Sequence, residues 1–144
     1  MQKIHPPGGK VVTVYADGSV QPDYSGAGTV IVDASGFIIA VENRVLPHMT
    51  NNEAEYEALI LGLEMALKHG AVSVEVRMDS EVVINQMKGL FGINSPKMKE
   101  VNRRACILAR QIKVVEYIHI PRDANEIADA LAGEASAGRE WKSR

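Results

Sequence analysis

The chain has 144 residues, 46% of them hydrophobic and 24% charged, with a formal charge of −2. That composition excludes a disordered chain, and the near-neutral balance carries no bulk charge signal for nucleic-acid binding. One cysteine, Cys106, excludes an internal disulfide and a multi-cysteine metal site.

Along the chain, "KVVTVYADGS" predicts a strand ending in a turn, apolar on both faces and therefore central in its sheet. "AGTVIVDASGFIIAVENRVL" predicts two strands joined at Asp33-Ala34-Ser35-Gly36. A helix follows from about Thr50 to Lys68, closed by Gly70. "VSVEVRM" alternates as a fourth strand, and "DSEVVINQMKG" makes a short helix capped by Ser80. Ser95-Pro96 opens another helix to about Arg110, with Cys106 expected as a buried, inert thiol within it. "KVVEYIHI" is a fifth strand, and "DANEIADALAGEASAG" a last helix ending near Gly138. The order β-β-β-α-β-α-α-β-α implies an α/β fold, a mixed sheet with helices against its faces.

One domain spans 1–144 in this reading, with a core at about 11–138 and loose ends at Met1 to Gly9 and Arg139 to Arg144. No apolar run reaches the ~18 residues of a membrane span and "MQKIHPPGGK" lacks an apolar core, so the expected compartment is cytoplasmic.

Three glutamates crowd "TNNEAEYEA". Thr50-x-x-Glu53 matches a capping box, with Glu53 reaching back to a backbone N–H. Glu57 falls on an outer, solvated face with Glu64 and Lys68. Glu55 differs: at about 100° per residue it lies within about 40° of Leu59 and about 20° of Ala66, at the edge of the apolar stripe. A carboxylate there needs a partner, most simply a metal cation, or else bends to water at the rim. Asp17 and Asp79 stand at the ends of the first and fourth strands. If those strands are parallel neighbours, both acids lie at one sheet edge, where ligands favour binding; each also reads as a turn or cap residue. In the last helix Asp123-x-x-Glu126 resembles a second capping box, while Asn125 and Asp129 share a face four residues apart.

"YADGS", "TNNEAEYEAL", "MDSEVV" and "NEIADALA" together resemble the four blocks of type 1 ribonuclease H, in the same order and spacing, from about Val11 to about Gly138. The resemblance implies a ribonuclease H-like fold, a five-stranded mixed sheet flanked by helices. It implies an endonuclease that cuts the RNA strand of an RNA–DNA hybrid, leaving 5′-phosphate and 3′-hydroxyl ends. Its metal-binding, catalytic carboxylates fall on Asp17, Glu55, Asp79 and Asp129. Four carboxylates balance two Mg²⁺ or Mn²⁺ ions, which suit phosphodiester hydrolysis. Contacts to the substrate, including the RNA 2′-hydroxyl, map to Gly18, Ser19, Asn51 and Asn52, with Thr50 as a phosphate contact and Asn125 beside Asp129.

The sequence departs from many relatives in two places. It resembles a compact archaeal and bacterial branch without the histidine loop before the last helix. Only Pro121, Arg122 and Asp123 bridge strand to helix, and His119 does not match the loop histidine; Arg122 is a candidate for phosphate contact. The tryptophan-rich basic protrusion is also absent. Lys88, Lys97, Lys99, Arg103 and Arg104 still give 88–104 a local excess of positive charge, read as either a solvated helix face or a footprint for DNA-strand phosphates. Glu81 stands where a glutamine that reads the minor groove is common. The rival readings are a nuclease of the same fold acting on double-stranded RNA or DNA junctions, and a non-catalytic hybrid-binding module. No obligate protein partner is evident from the sequence.

Overall fold

A computed structural model describes residues 9–141. The expected looseness of 1–8 and of 142–144 falls outside the described residues. The elements are β1 (Lys10–Val20), β2 (Tyr24–Asp33), β3 (Ile38–Pro47), α1 (Asn51–Lys68), β4 (Ala71–Met78), α2 (Glu81–Met87), α3 (Pro96–Ala109), β5 (Val114–His119), a 3₁₀ turn (Arg122–Ala124) and α4 (Glu126–Ser136). The five strands form one sheet in the order β3-β2-β1-β4-β5. β1 pairs antiparallel with β2 and parallel with β4. Its two apolar faces had placed it in the centre, and there it is.

β1 does not end in a turn at Asp17. It continues to Val20, with Asp17 opposite Gly28 and Val20 opposite Ser25 on β2. The parallel ladder to β4 stops earlier, at Tyr15 opposite Arg77. Asp17 is therefore held by β2 on one side and open on the side where β4 has already turned away. Asp79 immediately follows β4, so the sequence pattern located that strand end correctly.

The core lies between the sheet and α1. Val12, Val14 and Ala16 on β1 are fully buried with Leu59 and Leu63 of α1. α1 starts at Thr50, whose side-chain oxygen accepts the Glu53 N–H at 3.2 Å. The Glu53 carboxylate accepts the Thr50 hydroxyl rather than reaching a backbone N–H as the capping-box pattern anticipates. Glu57 is not on a solvated face either: it accepts Arg104 Nη1 of α3 at 2.8 Å, because α3 packs over that side of α1. Cys106 is half-buried rather than buried, its thiol facing Asn102 Oδ1.

α4 crosses the opposite face of the sheet at unusually close range. A Cβ at Gly28 would stand 2.5 Å from the Ala128 carbonyl oxygen and 2.6 Å from Ala132 N, and one at Gly26 would stand 2.2 Å from the Ala132 carbonyl oxygen. These neighbours are helix backbone and cannot turn aside. The segment after α4 is bonded down to Trp141: Asn43 Nδ2 donates to the Leu131 and Arg139 carbonyls, Trp141 N–H donates to Asn43 Oδ1, and Val45 N–H donates to Glu140. The expectation of a loose end from Arg139 therefore fails as far as Trp141, because buried Asn43 gathers the tail. Gly28→Ala should push α4 off the sheet and lower stability by ~2 kcal/mol or more, measured by denaturant unfolding; an unchanged midpoint would contradict the packing described.

Candidate active site

Four elements deliver acids to one end of the sheet. β1 supplies Asp17, 5% exposed, and the first turns of α1 supply Glu55, 6% exposed. The end of β4 supplies Asp79 and α4 supplies Asp129, both half-buried. All four line a pocket of 260 Å³ together with Asn51 and Arg122. Glu53, by contrast, is occupied in the helix cap.

The local chemistry explains how these side chains are held. Gly18 N–H donates to Glu55 Oε2 at 3.0 Å. A Cβ on Gly18 would lie 2.5 Å from the backbone of Ala54 and Glu55, so only glycine lets β1 approach α1 this closely. Asn125 is 2% exposed, and its amide donates to the Ala16 carbonyl at 2.9 Å and to Asp79 Oδ1 at 3.0 Å. Asn125 thus lies beneath the pocket as a brace and does not stand on its surface as a substrate contact. The capping box at Asp123 and Glu126 is not formed: Asp123 sits in the 3₁₀ turn, and Asn125 occupies the cap position with no side-chain cap bond. Its amide is directed at β1 and Asp79 instead.

The electrostatics are those of like charges buried together. Burial, then Glu55 and the contacts to Asp129 and Asp79, push the Asp17 carboxyl up to about 9. Burial and the neighbouring Asp79 push Glu55 up to about 7, although the Gly18 amide pulls it the other way. Arg122 Nη2 lies 4.0 Å from Asp129 Oδ1, with its side chain 81% exposed. Among the described residues, no three His, Cys, Asp or Glu side chains are drawn in tightly enough to hold one ion as they stand. Two of the carboxylates are held by fixed donors, Glu55 by the Gly18 amide and Asp79 by the Asn125 amide.

The other expected contacts divide. Asn51 lines the pocket, whereas Asn52 is exposed outside it. Thr50 is engaged in the helix cap, and Ser19 Oγ shares a hydrogen bond with Ser136 Oγ at 2.9 Å. Lys88, Lys97 and Lys99 are exposed. Arg103 and Arg104 are engaged by Glu100 and Glu57, which weakens their candidacy as phosphate contacts. His119 is exposed, with Nε2 3.3 Å from the Asp79 carbonyl oxygen. Glu81 is exposed in the first turn of α2. The bracing roles of Gly18 and Asn125 carried no sequence signal, since both depend on the register of distant elements.

Mixed-sheet topology with acids gathered at one edge defines a domain of the ribonuclease H-like class. Residues 15–135 match the family described as reverse transcriptase-like. The chain is 37% identical over 134 residues to ribonuclease HI of Halobacterium salinarum, spanning 92% of this chain and 67% of that one. The solved N-terminal RNase H domain of Rv2228c from Mycobacterium tuberculosis superposes with a TM-score of 0.86 at 34% identity, covering 90% of this chain and 95% of that structure. The whole Rv2228c protein is a bifunctional protein of which the match spans 35%. A structure of LC11-RNase H1 in complex with an RNA/DNA hybrid superposes with a TM-score of 0.83 at 34% identity, covering 88% and 97% of the two chains. The chain belongs to the reverse transcriptase-like family of ribonuclease H domains.

The raised carboxyls have a consequence for stability. A carboxyl with a folded pKa above its unfolded value favours the fold while it holds its proton, so stability falls as pH rises from about 4 towards 9. In chelator, Asp17→Asn should therefore stabilise the protein at pH 8 by ~2 kcal/mol and flatten that decline, read by thermal melts across pH. Destabilisation by Asp17→Asn at pH 8 would contradict the like-charge account.

Proposed function

We propose that this chain is a single ribonuclease H domain that hydrolyses the RNA strand of RNA–DNA hybrids, with divalent cations held by Asp17, Glu55, Asp79 and Asp129. The observation that carries the reading is the convergence of these four acids from β1, α1, the end of β4 and α4 on one pocket. The donor set fits the cations: four hard carboxylates suit Mg²⁺ or Mn²⁺, and the one cysteine stands on α3 as a half-buried thiol. Two such ions, when bound, supply Lewis acidity at the scissile phosphate and an activated water. Electrostatic relief of the raised Asp17 and Glu55 carboxyls supports the same assignment.

The chain's own residues do the positioning. The Gly18 amide fixes one oxygen of Glu55, and Asn125 ties Asp79 to the β1 carbonyl of Ala16. Arg122, at the pocket rim and mostly exposed, is available to meet a substrate phosphate. Asn51, at the start of α1 and on the pocket wall, is the side chain best situated to exchange hydrogen bonds with a 2′-hydroxyl. The exposed Lys88, Lys97 and Lys99 give a small electrostatic footprint for the DNA strand.

Labelled RNA–DNA hybrid, RNA duplex and DNA duplex assayed side by side with Mn²⁺ should show cleavage of the hybrid's RNA strand, leaving 5′-phosphate ends. Asp79→Asn should reduce that rate by ~10³-fold. Equal inertness of wild type and variant would leave a hybrid-binding module, and preferential cutting of either duplex would transfer the substrate. With about three lysines at the interface, log affinity against log salt should have a slope of about −2 to −3. A flat plot would remove the lysine footprint.

A further inference from the structure

Two rows of residues run across the sheet beneath α4. Asp17 on β1, Gly28 on β2 and Asn43 on β3 are direct cross-strand neighbours, and so are Ser19, Gly26 and Val45. Residues opposite one another in a ladder point their side chains to the same side, so Asp17 and Asn43 both stand on the side that α4 covers. Each row has glycine at its centre, and the helix rests there. The glycines set how closely α4 approaches. They do not set its position along its own axis, because alanines on a glycine floor offer no interlocking side chains to resist sliding. Asn43 supplies that reference. It is 1% exposed, and its whole amide is used by α4 and the segment after it. Nδ2 donates to the Leu131 carbonyl at 3.0 Å and to the Arg139 carbonyl at 3.1 Å, and Oδ1 accepts from Trp141 N–H. On the other flank of the helix, Ser19 Oγ meets Ser136 Oγ at 2.9 Å.

We propose that Asn43 is a positioning residue for the acid cluster: it registers α4 against the row that carries Asp17 and so places Asp129 for cation binding. This placement, which rests on Asp129 being a cation ligand, has three supports. Leu131 lies two residues beyond Asp129, about 3 Å along the helix axis, so a bond at its carbonyl fixes the height of Asp129 almost directly. The anchor belongs to the same cross-strand row as Asp17, so both acids are set from one line of backbone. Asparagine is also poorly suited to this position on other grounds. Strands disfavour it, and burying its amide is unfavourable unless every group is bonded. The hollow beside it is walled by Leu131 and Trp141, against which an apolar side chain would pack without that demand. Hydrogen bonds are directional and fix geometry where apolar contact permits sliding. The segment after α4 bonds the same amide and holds Asn43 in the conformation that reaches Leu131.

Mn²⁺ binding to the substrate-free full chain, read as loss of the free-ion EPR signal, tests the proposal. Asn43→Leu, close in volume but without hydrogen bonds, should weaken the tightest binding about tenfold, the lower end of what outer partners of metal ligands contribute. Asn43→Ser, smaller and still polar, should weaken it in the same direction and serves if the leucine variant does not fold. Ile112→Ala, a truncation of the buried core between α3 and β5, is the control: it should lower the Tm and leave Mn²⁺ affinity unchanged. In chelator, the backbone amide NMR signals of Asp129 and Leu131 should move in the Asn43 variants and keep their positions in Ile112→Ala. Unchanged Mn²⁺ affinity in the Asn43 variants, while Asp129→Asn weakens it, would overturn this proposal alone. Equal weakening by Ile112→Ala would also overturn it, leaving Asn43 a purely structural residue. Mn²⁺ affinity insensitive to Asp129→Asn would overturn the cation assignment, and this proposal with it.

Discussion

Mutual repulsion among buried carboxylates is the constraint around which this molecule is organised. Asp17 and Glu55 are almost wholly removed from water, and Asp79 and Asp129 stand beside them. A folded domain gains no stability from that arrangement in the absence of countercharge. The surrounding architecture holds it in place nonetheless. β1 runs past the end of its parallel ladder so that Asp17 projects beyond β4. Gly18 lets α1 come close enough for an amide to seize Glu55, and Asn125 crosses from α4 to hold Asp79.

The two sides of the sheet have different tasks in this arrangement. α1 with α2 and α3 makes the apolar core, where Val12, Val14, Leu59 and Leu63 exclude water. α4 contributes less apolar burial and more precision of placement. Its alanines, Ala128, Ala132 and Ala135, sit almost on the backbone of β2, a contact that Gly26 and Gly28 permit. That contact sets the height of Asn125 and Asp129 above the strands. A small displacement of α4 would thus alter the acid cluster without unfolding the core.

Much of this was legible in the sequence because the signals were local. Period-two and period-3.6 patterns gave the elements in order, Ser95-Pro96 and Ser80 gave helix starts, and β1's two apolar faces gave its central place. The rotation that set Glu55 apart from Glu53 and Glu57 identified the acid that is buried at the site. What failed was non-local. Asp17 looked like a turn residue because Asp-Gly-Ser usually is one, whereas antiparallel pairing to β2 carries the strand onward. Asp123 and Glu126 matched a capping pattern, but the 3₁₀ turn moved the helix start to Asn125. Glu57 looked solvated, and Arg104 read as part of a solvated face or a phosphate footprint, although each satisfies the other across α1 and α3. A pattern along one element cannot report what another element will bring to it.

The account stands on cations lying among the four acids, and diffraction from a crystal soaked in Mn²⁺ tests this most directly. Anomalous peaks are expected within coordinating distance of Asp17, Glu55, Asp79 and Asp129, with Glu55 and Asp79 still held through one oxygen by the Gly18 and Asn125 amides. Well-ordered crystals showing no ion among these side chains at saturating Mn²⁺, or showing ions bound only elsewhere, would contradict it.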